Sequence, residues 1–493
     1  MKHPLSDIII SLSLCLLLLL ANLTLTESSP QCKAWLVQSI PTDMPHLSPV
    51  PGVLTTGDVL LWLAKNSTKS LDVIAQYWQL VASPADPRSG DYGYSKEEMK
   101  RFGVDQGSAV YNAIEDAALR NVSIRLLQHS GVYPDFTKEP TDLASGRPNV
   151  KEVGIYLVDC PKIAKSVETY FGNLWKLASL NSSAYTRTVS DQQWQVNRTV
   201  PCWSHFIDSK ERCRDSRFAS FSVMHLCDNA WTASITSSSF HEGSPYYRLS
   251  NIIRPIYVPY SNRKLPGTVI QICGLNQAIY PLLLLRFQAD EQAWVDTIKS
   301  VGTGSTVRIN TMDWLGQSQY VKPTVYWSSL SSVISEVVFS KHATVKLLVA
   351  FWAHFIDNTE QYLKSLLYSN VLCSSSKYNN CSGKVEIMYY LVPGYNLTGP
   401  AISNGTSTGN IYPGFTRVNH GKYAVSDTRA HIGTSNLIWD YFYTTAGVSF
   451  GTYNPAIVSQ LQAIFDADWN SPYAIPVGEL DEAHRSYSSS TFS

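Results

Sequence analysis

The sequence predicts an α/β protein made of two similar halves in a pseudo-two-fold arrangement, with helices packed on sheets. The order strand, helix, strand occurs twice, and each half closes with a further strand and helix. Such units place helices against a sheet, and a matched order of elements indicates an internal duplication. Apolar residues make up 44% of the 493 residues, which suffices for sizeable cores and excludes wholesale disorder.

The first half begins with a predicted strand over Leu71–Trp78, where β-branched and aromatic residues favour extended chain. A helix is predicted over Ser108–Arg120 because its apolar residues recur on one face. A second strand is predicted over Val122–Gln128. The half closes with a strand over Val153–Val158 and a helix over Ile163–Ala178.

The second half repeats this order. Strands are predicted over Val307–Trp314 and Thr344–Trp352, with a helix over Val325–Ser340 between them. The closing pair is a strand over Gly447–Phe450 and a helix over Ala456–Trp469. Two such halves predict a functional site at their junction.

Five segments follow from this organisation. Residues from about Arg214 to Arg286 match neither half and lack sustained periodicity, so an ordered insertion, a flexible one and sequence from an atypical transcript all fit. The predicted segments are a leader (1–25), an N-terminal half (32–190), an insertion or linker (191–290), a C-terminal half (291–475) and a C-terminal tail (476–493).

The N-terminus predicts entry into the secretory pathway. An apolar run over Ile8–Leu20 follows Lys2 and His3, and its length suits a cleaved signal peptide better than a spanning helix. An uncleaved signal anchor, which would attach the chain to a membrane by a single pass, stays open. We expect residence in the endoplasmic reticulum lumen, in a vacuole or lysosome, or outside the cell.

Glycosylation and disulfide patterns agree with this compartment. Beyond the leader, eight cysteines form an even set, which favours disulfides in an exported chain. We expect Cys373 and Cys381 to pair across a polar loop. Sequons for N-glycosylation begin at Asn66, Asn121, Asn181, Asn197, Asn380, Asn396 and Asn404.

Charge excludes one class of function. The chain has 39 Lys and Arg against 39 Asp and Glu, so no bulk positive field exists that could coat nucleic acid. Any binding of phosphate must come from a local site. No CxxC or His-x-His spacing occurs, so we expect neither a metal nor another cofactor.

A cluster that could perform phosphate chemistry begins at Asn419 and His420. In a short strand His420 and Lys422 would point to the same side. A neutral imidazole can attack phosphorus and form a covalent phosphohistidine, and an ammonium can stabilise the non-bridging oxygens. Asp427 could orient an imidazole and stabilise its cation.

A tight turn, Gly433-Thr434-Ser435-Asn436, completes this pattern. Gly433 allows the backbone to approach a phosphate closely. Asn419, Ser435 and Asn436 are expected to bind the substrate phosphate, and His420, Lys422 and Asp427 are expected to be catalytic.

These residues resemble the HxKxxxxD…G[ST]xN signature of the phospholipase D superfamily. The wider sequence, including the closing segment Phe465–Tyr473, is similar to the branch with phospholipase D family members three and four. The resemblance implies a duplicated phospholipase D-type α/β sandwich that acts as a hydrolase without a metal. It also implies secretory, often membrane-anchored glycoproteins, which tend to dimerise and are 5′ exonucleases on single-stranded DNA and RNA in acid compartments. A phospholipid substrate stays open.

The sequence departs from this family in its first half. The superfamily uses two His/Lys motifs, one histidine as nucleophile and the other as general acid. The first motif should lie between Gln128 and Lys151, and no HxK occurs there. The chain is therefore either a phosphodiesterase of reduced activity or an inactive phosphate-binding pseudoenzyme. A homodimer is compatible with the family, but the remains of the first half would occupy the position of a partner's motif.

Aromatic residues near strand ends bear on the substrate. Such side chains could stack on the bases of a single strand, although packing in the core or at its rim is the simpler explanation for each one taken singly. The candidates are Tyr77, Trp78, Trp314, Tyr326 and Trp327.

Overall fold

The computed structural model describes most of both predicted halves. Neither the predicted leader (1–25) nor residues 129–150, where a first motif is expected, falls within the described residues. No helix in the described part of the chain combines the length and apolar character needed to cross a bilayer. The described residues are 32–75, 80–82, 93–128, 152–178, 187–190, 193–196, 221–228, 231–238, 285–287, 290–320, 323–375, 381–414, 416–443 and 447–480.

Helices and strands alternate through these ranges, as expected of an α/β protein. The helices are α1 (Thr56–Asn66), α2 (Lys96–Arg101), α3 (Val104–Leu119), α4 (Pro161–Ala178), α5 (Asp290–Lys299), α6 (Ser329–Lys341), α7 (Thr359–Ser374), α8 (Trp439–Tyr443) and α9 (Pro455–Trp469). The strands are β1 (Lys33–Ser39), β2 (Leu54–Thr55), β3 (Ser70–Ala75), β4 (Ser123–Gln128), β5 (Glu152–Val158), β6 (Arg187–Ser190), β7 (Gln193–Val196), β8 (Phe221–Asp228), β9 (Trp231–Ser238), β10 (Leu285–Phe287), β11 (Thr306–Thr311), β12 (Thr344–Ala350), β13 (Lys384–Tyr390), β14 (Ile402–Ser403), β15 (Thr406–Ser407), β16 (Tyr423–Val425), β17 (Ala430–Ile432), β18 (Gly447–Thr452) and β19 (Ala474–Pro476).

One large sheet organises the C-terminal half. In the described residues its strand order is β10-β8-β9-β18-β17-β16-β11-β12-β13-β19. Strands β11, β12 and β13 are parallel, and β16 runs antiparallel to β11. The carboxyl ends of β11 and β12 and the start of β16 therefore meet at one edge of the sheet, which we call the carboxyl edge.

Both faces of this sheet are covered by apolar side chains. One face, with Val307 of β11 and Leu347 of β12, packs against residues of α5, α6 and α7. The other, with Leu348, packs against α9 and against Leu36 of β1 and Val153 of β5. The alternation along β12 follows the two-residue period of a strand. The N-terminal segment thus completes the core of the C-terminal half.

The two predicted halves are similar in the structure, as the sequence predicts. Strands β3 and β4 are parallel and flank α3, just as β11 and β12 are parallel and flank α6. The closing elements match too, because a cation on the second strand of each unit stacks on aromatic rings of the closing helix. Arg125 lies 4.9 Å from the Phe171 ring of α4, and Lys346 lies 5.0 Å from the Trp469 ring of α9.

Two features extend or correct the sequence interpretation. The insertion contributes β8, β9 and β10, and β9 pairs with β18 at the side of the large sheet. The helix predicted from Val325 begins instead at Ser329. Val325 is held in a loop, because its amide donates to the Ser318 hydroxyl and its carbonyl accepts from the Ser318 amide.

Disulfides tie together distant and nearby parts of the chain. Cys32 is bonded to Cys160, which joins the start of β1 to the residues after β5. Cys373 is bonded to Cys381 at the end of α7, which confirms the expected pair.

Candidate active site

The motif residues lie at two opposite ends of β16. His420 and Lys422 precede the strand at the carboxyl edge, where Asn310 of β11 pairs with Tyr423. Asp427 follows the strand at the other end, where the Gly302 amide donates to its carboxylate at 2.9 Å. Asp427 is exposed and is held by this turn. The structure therefore does not give Asp427 the expected imidazole as a partner.

The segment carrying His420 is fixed by side-chain hydrogen bonds rather than by a strand ladder. The Asn310 amide group donates to the Gly421 carbonyl at 2.6 Å and accepts from the Asn419 amide group at 2.8 Å. A Cβ at Gly421 would lie 2.9 Å from Asn310 Nδ2, so only glycine leaves room for this contact. Asn419, expected to bind phosphate, thus positions the motif, and the strand begins only at Tyr423.

Lys422 is buried beside the backbone of His420. Its side chain is 4% exposed, and Nζ donates to the His420 carbonyl at 2.7 Å. Nζ also lies 3.8 Å from the Met312 sulfur. A buried ammonium requires compensating groups, and these contacts hold its charge at the carboxyl edge.

Asn436 approaches the same place from the turn. Its Nδ2 atom lies 3.9 Å from the Met312 sulfur and donates to the Asp313 carboxylate at 2.5 Å. Lys422 and Asn436 therefore converge on one sulfur atom, although they come from different ends of the motif.

Asp313 joins these groups and was not predicted as a site residue. It follows β11, is buried, and accepts from Trp352 Nε1 at 3.4 Å as well as from Asn436. Burial raises the pKa of the Asp313 carboxyl, while the charges of Lys422 and His420 act to lower it. Asp313 thus lies close enough to Lys422 and His420 at the carboxyl edge for their charges to act on it.

The remaining turn residues face a second carboxylate. The Ser435 hydroxyl donates to Asp290 at 2.7 Å and is buried. Asp290 begins α5 and also accepts from the Ser449 hydroxyl at 2.9 Å. Ser435 therefore has Asp290 as its partner rather than the expected phosphate. A Cβ at Gly433 would lie 2.9 Å from the Ser449 hydroxyl, which explains the glycine at the turn.

Burial excludes two of the five aromatic residues considered above for stacking on bases. Trp314 and Trp327 belong to the core on the α6 and α7 face, so neither can stack on a ligand. Tyr326 is 73% exposed and stays available. Tyr77 and Trp78 lie outside the described residues.

The arrangement can carry out displacement at phosphorus. His420 is partly exposed, whereas Lys422, Asn436 and Asp313 are buried. An imidazole together with a fixed ammonium and amide can provide a nucleophile and donors for a developing negative charge. Within the described ranges, no group of three or more His, Cys, Asp or Glu side chains is arranged to hold a metal ion.

Comparison with known proteins identifies relatives over most of the chain. Phospholipase D Z of Dictyostelium discoideum is 32% identical over 433 residues, which cover 86% of this chain and 87% of the relative. The 5′-3′ exonuclease PLD3 of Xenopus laevis is 24% identical over 468 residues, 91% of this chain and 82% of the relative. Phosphatidylserine synthase of Haemophilus influenzae is 10% identical, with a TM-score of 0.43, over 88% of this chain and 89% of the other. No protein-family model matches the chain.

Proposed function

Because the chain belongs to the phospholipase D family, we propose that it hydrolyses phosphodiesters through a covalent intermediate on His420. The observation that carries this proposal is the convergence of Lys422 and Asn436 on Met312, directly behind the segment that bears His420. A phosphate in front of His420 would meet these two donors.

The roles follow from protonation and position. His420 attacks phosphorus as a neutral imidazole. Lys422 and Asn436 stabilise the charge that builds up on the non-bridging oxygens, and each is already oriented by fixed contacts before substrate binds. Asp313 is a positioning residue, since it holds the Asn436 amide.

We propose single-stranded nucleic acid, attacked from its 5′ end, as the substrate. Relatives named 5′-3′ exonuclease align over about nine-tenths of this chain. Two tyrosines, Tyr320 and Tyr326, are exposed on the loop that follows Asp313. Exposed rings near a phosphate site can stack on bases of any sequence.

A second candidate function is phosphate binding without turnover. His420 and Lys422 form the one HxK pair in the sequence, whereas two-histidine chemistry needs a second imidazole. A pseudoenzyme would bind a phosphate at the same donors and release no product.

The secretory compartment is part of the proposal. The disulfides Cys32–Cys160 and Cys373–Cys381 support an oxidising environment. Asn66, Asn121 and Asn404, which begin three of the sequons, are exposed and could accept glycans.

The test uses the full chain expressed through a secretory pathway. It is incubated at acid and neutral pH with a 5′-hydroxyl single-stranded oligonucleotide or with phosphatidylcholine vesicles, each with and without a chelator. We expect nucleotide release that resists the chelator and disappears in His420→Ala.

Two outcomes would redirect the proposal. Release of choline in place of nucleotides would make phospholipid the substrate. Tight binding of the oligonucleotide without any product would favour the pseudoenzyme.

A further inference from the structure

A single imidazole leaves the proposed hydrolysis incomplete. When His420 attacks phosphorus, the leaving oxygen needs a proton, and the water that later releases the intermediate must lose one. A second acid–base group at the carboxyl edge would supply both transfers. The sequence contains no second HxK pair that identifies this group.

The structure places another histidine at this edge. Five histidines have described side chains, and they differ in location. His46 packs on Tyr473, His342 lies before β12, and His431 is fully buried. His354 follows the carboxyl end of β12, four residues beyond Ala350.

Trp352 connects His354 to the site. The His354 and Trp352 rings contact each other edge to face, with centroids 4.9 Å apart. The Trp352 indole donates to Asp313 Oδ1 at 3.4 Å and packs on Met312, Ala350 and Val418. Met312 in turn contacts both Lys422 and Asn436. The indole therefore links the His354 ring to Asp313 of the candidate site through one ring contact and one hydrogen bond.

We infer that His354 is the general acid and base that works with His420. This inference rests on the proposed phosphodiesterase function and concerns its missing second imidazole. His354 is partly exposed, so a substrate oxygen can reach it, whereas both Asp313 oxygens already accept hydrogen bonds inside the protein. Burial also lowers the pKa of His354, which makes its protonated form a stronger acid.

The proton transfers balance over two steps. In the first, a nitrogen of His420 forms a bond to phosphorus, the bond from phosphorus to the leaving oxygen breaks, and the His354 imidazolium gives its proton to that oxygen. In the second, water attacks phosphorus, the bond to His420 breaks, and neutral His354 accepts the proton from water. The products are an alcohol and a phosphate monoester, and both histidines return to their starting forms.

The experiment separates proton donation from other roles by changing the leaving group. Two esters of one nucleotide are compared, an ordinary dinucleotide and a p-nitrophenyl ester whose leaving group needs no proton. In His354→Gln we expect turnover of the dinucleotide to fall by about 10²–10⁴-fold. The p-nitrophenyl ester should give a burst of about one p-nitrophenolate per chain and then stall, because the intermediate on His420 lacks its base.

The matched control lies at the other end of the same strand. His342 has a φ of 53°, which asparagine also tolerates, so His342→Asn should leave both substrates unaffected. If His354→Gln melts early, His354→Gly with added imidazole replaces it, and rescue of dinucleotide turnover is expected.

Absence of the p-nitrophenolate burst, unchanged turnover of the dinucleotide, or no rescue by imidazole would overturn the assignment of His354. A wild-type chain that cleaves neither ester would instead overturn the proposed function.

Discussion

The two strand–helix–strand units have similar backbones but different surroundings. The first unit (β3, α3, β4) forms a two-stranded sheet with a small core, whereas the second (β11, α6, β12) lies within the large sheet and is covered on both faces. Leu126 of β4 and Leu347 of β12 occupy the same position in the two units. Leu126 is only partly buried, and Leu347 is fully buried.

Charges at the third position of each strand show how the units differ. In the first unit Asp72 and Arg125 face each other across the pair and form a salt bridge. In the second unit both positions carry cations. Arg308 binds Asp466 of α9 through two hydrogen bonds of 2.8 Å, and Lys346 stacks on Trp469 of the same helix. The second unit is thus clamped to its closing helix at two points.

This difference explains where precise chemistry can be built. Residues after β11 and β12 inherit the rigidity of a sheet that is packed on both faces, so Asp313 and Trp352 can be held within hydrogen-bond distance of each other. A repeated backbone unit is not sufficient for a site. The unit also needs neighbours that fix its strand ends.

The largest expected effect tests whether activity belongs to the carboxyl edge alone. His420→Ala should lower oligonucleotide hydrolysis by about 10⁴–10⁶-fold, as expected for loss of a nucleophile. His342→Asn, at the opposite end of β12, should retain full activity. Initial rates on a 5′-hydroxyl oligonucleotide provide the measurement. Substantial activity in His420→Ala would contradict the assignment of the activity to the carboxyl edge.

The next effect tests the donors behind the nucleophile. Asn436→Ala should reduce kcat by about 10²–10³-fold, because one donor to the developing charge is lost, with a smaller change in KM. The control is Asn370→Ala, since Asn370 bonds the backbone of Val385 away from the motif. Steady-state kinetics would contradict this role if the two variants behaved alike.

A stability effect compares the cores of the two units directly. Leu347→Ala should lower the free energy of unfolding by about 2–5 kcal/mol, as for other fully buried leucines. The equivalent Leu126→Ala should cost less than about 2 kcal/mol, because that side chain is only partly removed from water. Denaturant unfolding followed by tryptophan fluorescence measures both, and equal costs would show that the first unit is as tightly packed as the second.

The smallest effect concerns acid pH. Burial lowers the pKa of His431, outweighing Asp290, which acts to raise it. The folded state therefore binds this proton less readily than the unfolded state. Above the unfolded pKa of about 6.5, this group contributes its full amount to the free energy of unfolding. As the pH falls from there towards the lowered pKa of the folded state, the free energy of unfolding decreases by at most about 1.4 kcal/mol per pH unit. His431→Asn should flatten this pH dependence of unfolding, and an unchanged slope would contradict it.

Much of the fold could be predicted because the repeated elements have clear periodicity. The predicted helix over Ala456–Trp469 and the strand over Thr344–Trp352 differ from the structure by two residues or fewer at each end. The large sheet could not be predicted, since pairing between β9 and β18 joins segments far apart in sequence. Nothing in the local pattern indicated that β1 would share a core with α9.

The sequence groups candidate site residues that are close together in the chain and gives no sign of their contacts with distant residues. His420, Lys422 and Asn436 stand in one motif, whereas Asp313 reaches Asn436 across 123 positions. One available signal was that Asp313 and Trp352 follow parallel strands, whose carboxyl ends share an edge. The partners of Asp427 and Ser435 depended on Gly302 and Asp290, which no spacing rule connects to the motif.

Detection of the covalent intermediate tests the central claim most directly. The wild-type chain is mixed with excess substrate, quenched in alkali to preserve a phosphorus–nitrogen bond, and digested for mass spectrometry. We predict a nucleotidyl adduct, in which the phosphorus still carries one nucleoside, on the peptide containing His420, and its absence in His420→Ala. Rapid turnover by the wild-type chain with phosphorus on another residue, or on none, would contradict the account.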